Sequence, residues 1–168
     1  HLPDPGRLRE LLKEGCKLWV RHEINISDRK TKYTTVFVEY KGQLISLIST
    51  LPNAFVKEAI QKKLLPAYKH YKIIQPEYAI KNHRIDFLLE DRKGDPFYLE
   101  VKSVSYVKNG VAKFPDSITK RGLLHLKLLK ELVSSGFKAG VLFVCQRQDP
   151  ITFQPMWEID PKFSAALL

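Results

Sequence analysis

Acidic side chains fall at facing positions in what reads as three neighbouring β-strands. Asp86 and Glu100 flank a turn at 91–96, and a symmetric antiparallel hairpin across that turn places them directly opposite each other. Residues that face each other in this way have Cβ atoms about 4.5–5.5 Å apart. A two-residue hairpin before Asp86 would in turn bring Glu77 opposite it. Lys102 lies two residues after Glu100 and therefore belongs to the same face of the sheet.

Carboxylates that face each other repel, so a row of three acids needs cations beside it. Lys102 supplies one positive charge, and a divalent metal bound by carboxylate oxygens would supply more. Metal ions held in this way assist phosphodiester hydrolysis, because they neutralise phosphate charge and activate water, and a lysine can stabilise the developing charge. We therefore predict Asp86, Glu100 and Glu77 as ligands for Mg²⁺ or Mn²⁺, with Lys102 completing the catalytic set. The residue types alone leave an alternative open, in which these side chains form ordinary ion pairs on a solvated face.

Apolar residues alternate with the acids along the same two strands. They are Ile85, Phe87, Leu89, Leu99 and Val101. Side chains alternate between the two faces of a strand, so we expect all five on the opposite face. The charged residues would then occupy one face of a sheet whose other face is core.

A second group of candidate residues stands at the start of a long helix predicted within 117–135. Three of its members have side chains of the types that contact phosphates: Thr119, Lys120 and Arg121. His125 follows on the same helix, and a lone histidine there is more often an ordinary surface or core residue than a catalyst. The N-terminus of a helix attracts phosphate, which favours nucleic-acid contact here. An ordinary helix start is the alternative, with Asp116 or Ser117 as the N-cap and the basic side chains solvated. Gly122 inside the helix indicates the close approach of another group.

The first part of the chain is small and strand-rich. Its predicted elements are a short helix at 8–13 and strands at 17–24, 32–40 and 43–49. Lys41-Gly42 predicts a hairpin between the last two strands. Asn53 is a good N-cap for a helix at 54–65, which Pro66 would end. We place a domain boundary here, giving domains at 1–52 and 53–168.

The second part alternates strands and helices. Its predicted elements are strands at 72–80, 84–90, 97–105 and 139–145, the helix within 117–135, and a helix start at Asp160-Pro161. This order predicts an α+β or α/β domain with one mixed sheet and flanking helices.

The composition is that of a basic globular protein. The chain has 168 residues and a formal net charge of +10, and its pI is about 9.6. Such an excess of positive charge favours a polyanionic partner, nucleic acid foremost. Two cysteines, Cys16 and Cys145, cannot form a disulfide framework, and the sequence offers no apolar run of transmembrane length and no secretion signal. We expect a cytoplasmic protein without a membrane partner.

Together these residues resemble the sugar fermentation stimulation protein (SfsA) family. The motifs that carry the resemblance are Gly6-Arg7-Leu8, Arg29-Lys30-Thr31-Lys32-Tyr33, Asn53, Arg84-Ile85-Asp86-Phe87, Glu100-Val101-Lys102-Ser103, Phe114-Pro115-Asp116, Thr119, Arg121-Gly122, His125-Leu126, and Phe143-Val144 with Gln146-Arg147. They cover nearly the whole chain. The chain departs from the family at its front turn, which reads Pro3-Asp4-Pro5-Gly6-Arg7 where Pro-Asn-Thr-Gly-Arg is usual.

The resemblance implies an N-terminal OB-like β-barrel and a C-terminal domain of the PD-(D/E)xK, restriction-endonuclease-like, superfamily. An OB-fold has five strands, so the three strands predicted before residue 50 indicate an incomplete barrel whose first strands lie upstream. Asp86 matches the first acid of the superfamily motif, Glu100 the second and Lys102 its lysine, and Glu77 looks like the additional acid of such sites. Many nucleases of this superfamily act as dimers, which makes a homodimer compatible with the resemblance.

The resemblance also implies DNA, single- or double-stranded, as the partner. Residues expected to contact it are Arg7, Arg29, Lys30, Lys32, Tyr33, Arg84, Thr119, Lys120, Arg121 and His125. The function predicted first is a Mg²⁺-dependent phosphodiesterase that acts on DNA. The second reading is a non-catalytic DNA-binding regulator of sugar or maltose metabolism that keeps its metal site. A third is a basic scaffold with no nucleic-acid partner.

Overall fold

A computed structural model describes residues 1–24 and 30–168, so the predicted DNA contact Arg29 lies outside the described residues. The strands are β1 Lys17–His22, β2 Tyr33–Tyr40, β3 Gln43–Ser46, β4 Lys72–Ile80, β5 His83–Glu90, β6 Pro96–Val104, β7 Val107–Lys108, β8 Val111–Phe114, β9 Lys138–Cys145 and β10 Thr152–Pro155. The α-helices are α1 Leu51–Gln61, α2 Lys120–Ser134 and α3 Pro161–Leu167, and a 3₁₀ turn covers Pro66–Tyr68.

The first part of the chain forms an antiparallel sheet in the order β1-β2-β3. Lys41 and Gly42 have φ of 50° and 75°, the left-handed values that a tight hairpin turn needs, which confirms the predicted turn. The predicted helix at 8–13 is wrong. Leu8 itself has φ of 48°, which a right-handed helix cannot continue, and its carbonyl instead closes a turn by accepting from the N–H groups of Leu11 and Leu12.

The main sheet has the order β4-β5-β6-β9, with β9 parallel to β6 and the other pairs antiparallel. The long helix α2 provides the crossover that a parallel pair requires. The predicted mixed sheet with flanking helices is thus confirmed. A second sheet, in the order β10-β8-β7, consists of strands of two to four residues that the sequence reading missed.

Helices cover both faces of the main sheet, which corrects the expectation of one core face and one charged face. Val56 and Ile60 of α1 pack against one face, in a cluster with Phe87 and Leu99. On the other face Ile85, Tyr98 and three leucines of α2 (Leu128, Leu129 and Leu132) form a second cluster. Of the predicted acids, Glu100 is therefore buried within the covered sheet and Asp86 is half-buried there.

Strand β5 turns about its own axis at Asp86. Ile85 belongs to the α2 cluster, whereas Phe87, two residues later, belongs to the α1 cluster. In a regular strand residues i and i+2 share a face, so the strand rotates between them. Glu77, in the neighbouring strand, has the left-handed φ of 50° at the same level. Asp86 therefore does not follow the regular alternation of side chains between the two faces of the sheet.

Helix α1 begins and ends earlier than predicted. It starts at Leu51, so Asn53 lies in its first turn and is not the N-cap, and the predicted boundary at 52/53 falls inside this turn. It ends at Gln61 because Lys63 has φ of 57°, and the N–H of Leu64 returns to the carbonyl of Ala59 to close the end. Asn53 is thereby free to contact a residue of the sheet.

Among the described residues, none of the helices combines the length and apolarity that crossing a bilayer requires.

Candidate functional site

Asp86 is held by hydrogen bonds to both of its carboxylate oxygens. The side-chain amide of Asn53 donates to Oδ1 at 2.7 Å, and the backbone N–H of Val101 donates to Oδ2 at 2.7 Å. The ladder between β5 and β6 stops at the pair Phe87–Leu99. Beyond it, the backbone N–H of Val101 in β6 donates to the side chain of Asp86 and not to a backbone carbonyl of β5. This ladder has the register that the symmetric hairpin predicts.

The environment of Asp86 disfavours the ionised form of its carboxylate. Burial, and after it the nearby charge of Glu100, raise the pKa of Asp86, and these effects outweigh the two hydrogen bonds. Such a shift is typical of a carboxylate that shares a site with another carboxylate.

Glu100 is the most deeply buried of the candidate residues, with 2% of its surface exposed. Its Oε1 takes part in hydrogen bonds with two groups, the Lys102 ammonium and His125 Nδ1, the latter at 2.5 Å. Burial by itself would raise the pKa of Glu100, but the hydrogen bonds from His125 and Lys102, together with the charge of Lys102, outweigh burial and lower the pKa. Glu100 is thus ionised, and a basic neighbour stabilises its charge.

The second oxygen of Glu100 makes this pair of acids a candidate cation site. Oε2 is buried and has no hydrogen-bond partner among the described residues. An unpaired buried carboxylate oxygen is costly, so its presence calls for a ligand. Asp86 and Glu100 carry two negative charges, and Lys102, whose side chain is 15% exposed, returns one positive charge. Hard oxygen donors with excess negative charge fit a divalent cation such as Mg²⁺ or Mn²⁺.

Glu77 does not join this pair. Its carboxylate is 57% exposed, and its ion-pair partner is Arg84 at 3.7 Å. The left-handed backbone at Glu77 and the rotation of β5 disrupt the regular alternation that the predicted row of three acids assumed. Across residues 1–24 and 30–168, no three His, Cys, Asp or Glu side chains converge as a metal-binding group. We therefore leave Glu77 out of the site.

The start of α2 is built differently from the prediction. Thr119 is the N-cap, since its hydroxyl accepts from the Gly122 N–H at 3.0 Å. Its own N–H donates to the buried carboxylate of Asp160, which also caps α3. The close approach expected at Gly122 is confirmed, because an added Cβ would lie 2.7 Å from Thr119 Oγ1 and 3.2 Å from a ring carbon of Phe163.

His125 lies inside the protein and not on a DNA-binding surface. It is 4% exposed, and its Nε2 receives a hydrogen bond from Arg121 Nε at 3.4 Å while Nδ1 contacts Glu100. Direct contact with DNA, as predicted for His125, is therefore not available in this structure.

The remaining predicted DNA contacts are at the surface or near it. Exposed side chains in this set are Arg7, Lys30, Lys32, Tyr33, Arg84, Lys120 and Arg121, and Thr119 is half-buried. A cavity of about 350 Å³ lies between the front turn of the chain and the start of α2. Gly6, Ser103 and Thr119 are among the residues that line it. Asp116, which also lines the cavity, accepts a hydrogen bond from the backbone N–H of Arg7 at 2.9 Å.

Comparison with known proteins adds family information to this geometry. Family models match residues 1–47 as an SfsA N-terminal OB domain and residues 50–168 as a sugar fermentation stimulation protein RE domain. A sugar fermentation stimulation protein homolog of Clostridium acetobutylicum is 44% identical, over 99% of this chain and 72% of that protein. A homolog of Methanosphaera stadtmanae is 40% identical, over 99% and 70%. This chain belongs to the SfsA family.

A solved SfsA structure has the same fold. It is the structure of Pyrococcus furiosus SfsA in complex with Ca²⁺, with a TM-score of 0.89, 28% identity and coverage of 99% of this chain and 70% of that one. The resemblance drawn from sequence motifs is confirmed, and so is the combination of an N-terminal OB domain with a mixed α+β domain.

Two contacts of the candidate site are not indicated by the local sequence pattern. Asn53 carries a helix-capping signal but donates to Asp86, and His125 carries a surface-like signal but contacts Glu100. Each contact joins elements that are distant along the chain, so local pattern could not predict it. The sequence marked the two residues only as members of the family motifs.

Proposed function

We propose that this SfsA-family chain binds DNA and hydrolyses its phosphodiester bonds with a divalent metal held by Asp86 and Glu100. The observation that carries the proposal is the buried Oε2 of Glu100, which has no hydrogen-bond partner among the described residues and lies beside the half-buried carboxylate of Asp86. The Pyrococcus furiosus relative was solved in complex with Ca²⁺, which supports a divalent cation in this family without identifying the one used here.

A divalent cation at Asp86 and Glu100 would neutralise charge at the scissile phosphate and lower the pKa of a coordinated water. Asn53 and the Val101 N–H would hold Asp86 in one orientation, so that its remaining lone pairs point to one place. Lys102 Nζ, bonded to Glu100 Oε1, would stabilise the negative charge that develops on the phosphate.

Contacts with the rest of the DNA would come from the exposed basic residues. Lys30, Lys32 and Arg84 are exposed cations that can bind backbone phosphates without reading sequence. Tyr33 is 52% exposed beside His22, at a ring distance of 5.2 Å, and offers an aromatic surface for stacking.

A nuclease assay with Mg²⁺ or Mn²⁺ on single- and double-stranded DNA tests the catalytic part. We expect cleavage by the wild type, loss of cleavage in EDTA, and a fall of about 10²-fold or more in Lys102→Met and Asp86→Asn. Asp95→Asn is the matched control, because Asp95 is exposed at the other end of the same hairpin. Equal cleavage by Asp86→Asn and the wild type would refute the proposed site.

A salt titration of DNA affinity tests the binding part. Binding through phosphate contacts weakens linearly in log K against log salt, and Lys32→Ala should reduce the slope by about 1. If the wild type binds DNA in this way and never cleaves it, the regulator reading replaces the nuclease. If affinity does not depend on salt, neither DNA-binding reading holds.

A further inference from the structure

His125 is a buried residue that the proposed chemistry does not use. It lies on α2, and both of its ring nitrogens have partners: Glu100 Oε1 at Nδ1 and Arg121 Nε at Nε2. A neutral imidazole carries one N–H, and the nitrogen that accepts a hydrogen bond carries none. Since Arg121 donates to Nε2, the proton of His125 belongs on Nδ1, where it is donated to Glu100.

This arrangement determines which oxygen of Glu100 is left for a ligand. Torsion about the last bond of a glutamate side chain is soft, so an unrestrained carboxylate turns readily. Here His125 and Lys102 approach the same oxygen, Oε1, from α2 and from β6. Oε2, which lacks a hydrogen-bond partner among the described residues, is consequently held in one place.

We propose that His125 is a positioning residue for the metal site and that Arg121 positions His125 in turn by selecting its Nδ1–H tautomer. The inference rests on the metal site of the proposed function. His125 and Arg121 then act inside the site. For His125 this role replaces the DNA contact that the sequence suggested. Partners that orient a metal ligand typically contribute about 10- to 100-fold to metal affinity.

Mn²⁺ binding to the full chain without DNA tests this role through matched variants. In His125→Asn the side-chain amide replaces the Nδ1–H donor, whereas in His125→Gln the amide reaches the position of Nε2 and leaves Glu100 without that donor. We expect His125→Gln to weaken Mn²⁺ affinity by about 10- to 100-fold and His125→Asn to retain most of it. His83→Gln is the control, because the His83 ring packs edge-on to His125 at 6.0 Å and donates to neither oxygen of Glu100 in the structure. It should bind Mn²⁺ as the wild type does.

Nitrogen-15 NMR of the histidine rings gives a second readout that requires no variant. The wild type should show His125 with its proton on Nδ1, and Arg121→Met should lose this preference. A wild-type proton on Nε2 overturns the proposal, as does equal Mn²⁺ affinity in His125→Gln and the wild type, or a wild type that binds no Mn²⁺. A wild type that shows the expected Mn²⁺ and tautomer pattern but cleaves no DNA refutes the proposed function and leaves the positioning role standing.

Discussion

The buried pair of Glu100 and Lys102 should be the part of the site most sensitive to a change of charge. Their side chains are 3% and 15% exposed, so Glu100→Gln leaves the ammonium of Lys102 largely buried without its counter-charge. Removing one partner of a buried ion pair costs about 3–5 kcal/mol, a large part of the roughly 5–15 kcal/mol that stabilises a typical protein. At about 2–4 °C per kcal/mol for a chain of this size, Tm should fall by roughly 6–20 °C.

A double-mutant cycle separates this effect from simple loss of contacts. Lys102→Met alone should cost about 1.5–3 kcal/mol, because Glu100 loses one charged hydrogen bond but keeps the His125 contact. The double variant removes both charges of the pair and leaves Asp86 with its two hydrogen-bond donors. It should therefore be more stable than the sum of the single effects predicts, by about 1–3 kcal/mol.

Urea unfolding of the four proteins measures the cycle. Glu58→Gln is the matched control, since Glu58 pairs with Lys62 on the exposed side of α1 and its substitution should leave the urea midpoint close to that of the wild type. The reasoning would be refuted if Glu100→Gln unfolded at the wild-type midpoint. It would also be refuted if the two substitutions added within about 0.5 kcal/mol, because the pair would then not interact.

Three further predictions concern pH and packing. The stability of Asp86→Asn relative to the wild type should increase as pH rises from the ordinary aspartate pKa through the raised folded pKa, because the fold disfavours the charge of Asp86. A loss that does not depend on pH should accompany it, because asparagine cannot accept from both Asn53 and the Val101 N–H. The lowered pKa of Glu100 has the opposite sign, so its contribution is present above the ordinary glutamate pKa and is lost as pH falls through the folded value; Glu100→Gln should lack this loss in acid titrations. Gly122→Ala should destabilise by about 1–3 kcal/mol in thermal unfolding, despite the better helix propensity of alanine, because the new Cβ would meet Thr119 and Phe163.

Controls for these predictions come from the same elements. Asp95→Asn, at an exposed position, should not show the pH-dependent gain of Asp86→Asn. Lys127→Ala, on the exposed face of α2, should change stability by less than about 0.5 kcal/mol. A stable Gly122→Ala would mean that the start of α2 can shift away from α3, which the Asp160 hydrogen bonds argue against.

Much of the scaffold could be read from local pattern. Alternation and turn residues predicted the hairpins of the main sheet, and the register across the 91–96 turn is the one observed from Phe87 to Glu90. These features depend on residues that are close together in the chain, so they can be predicted from the sequence. The short strands β7, β8 and β10 have too few residues to show a period. The turn at Leu8 accompanies burial of Leu8 and Leu11 in a cluster with distant strand residues, which local pattern does not reveal.

By itself, the sequence determined the charge of the molecule, its family, and the two acids and lysine of the candidate site. Only the tertiary structure decided how they are used: Asn53 holds Asp86, His125 holds Glu100, and Glu77 turns to the solvent. The physical reason is that these contacts are made by helices packed on opposite faces of one sheet, between residues 25 or more positions apart in the chain. Strand periodicity says which face a side chain takes, but not which helix will meet it there.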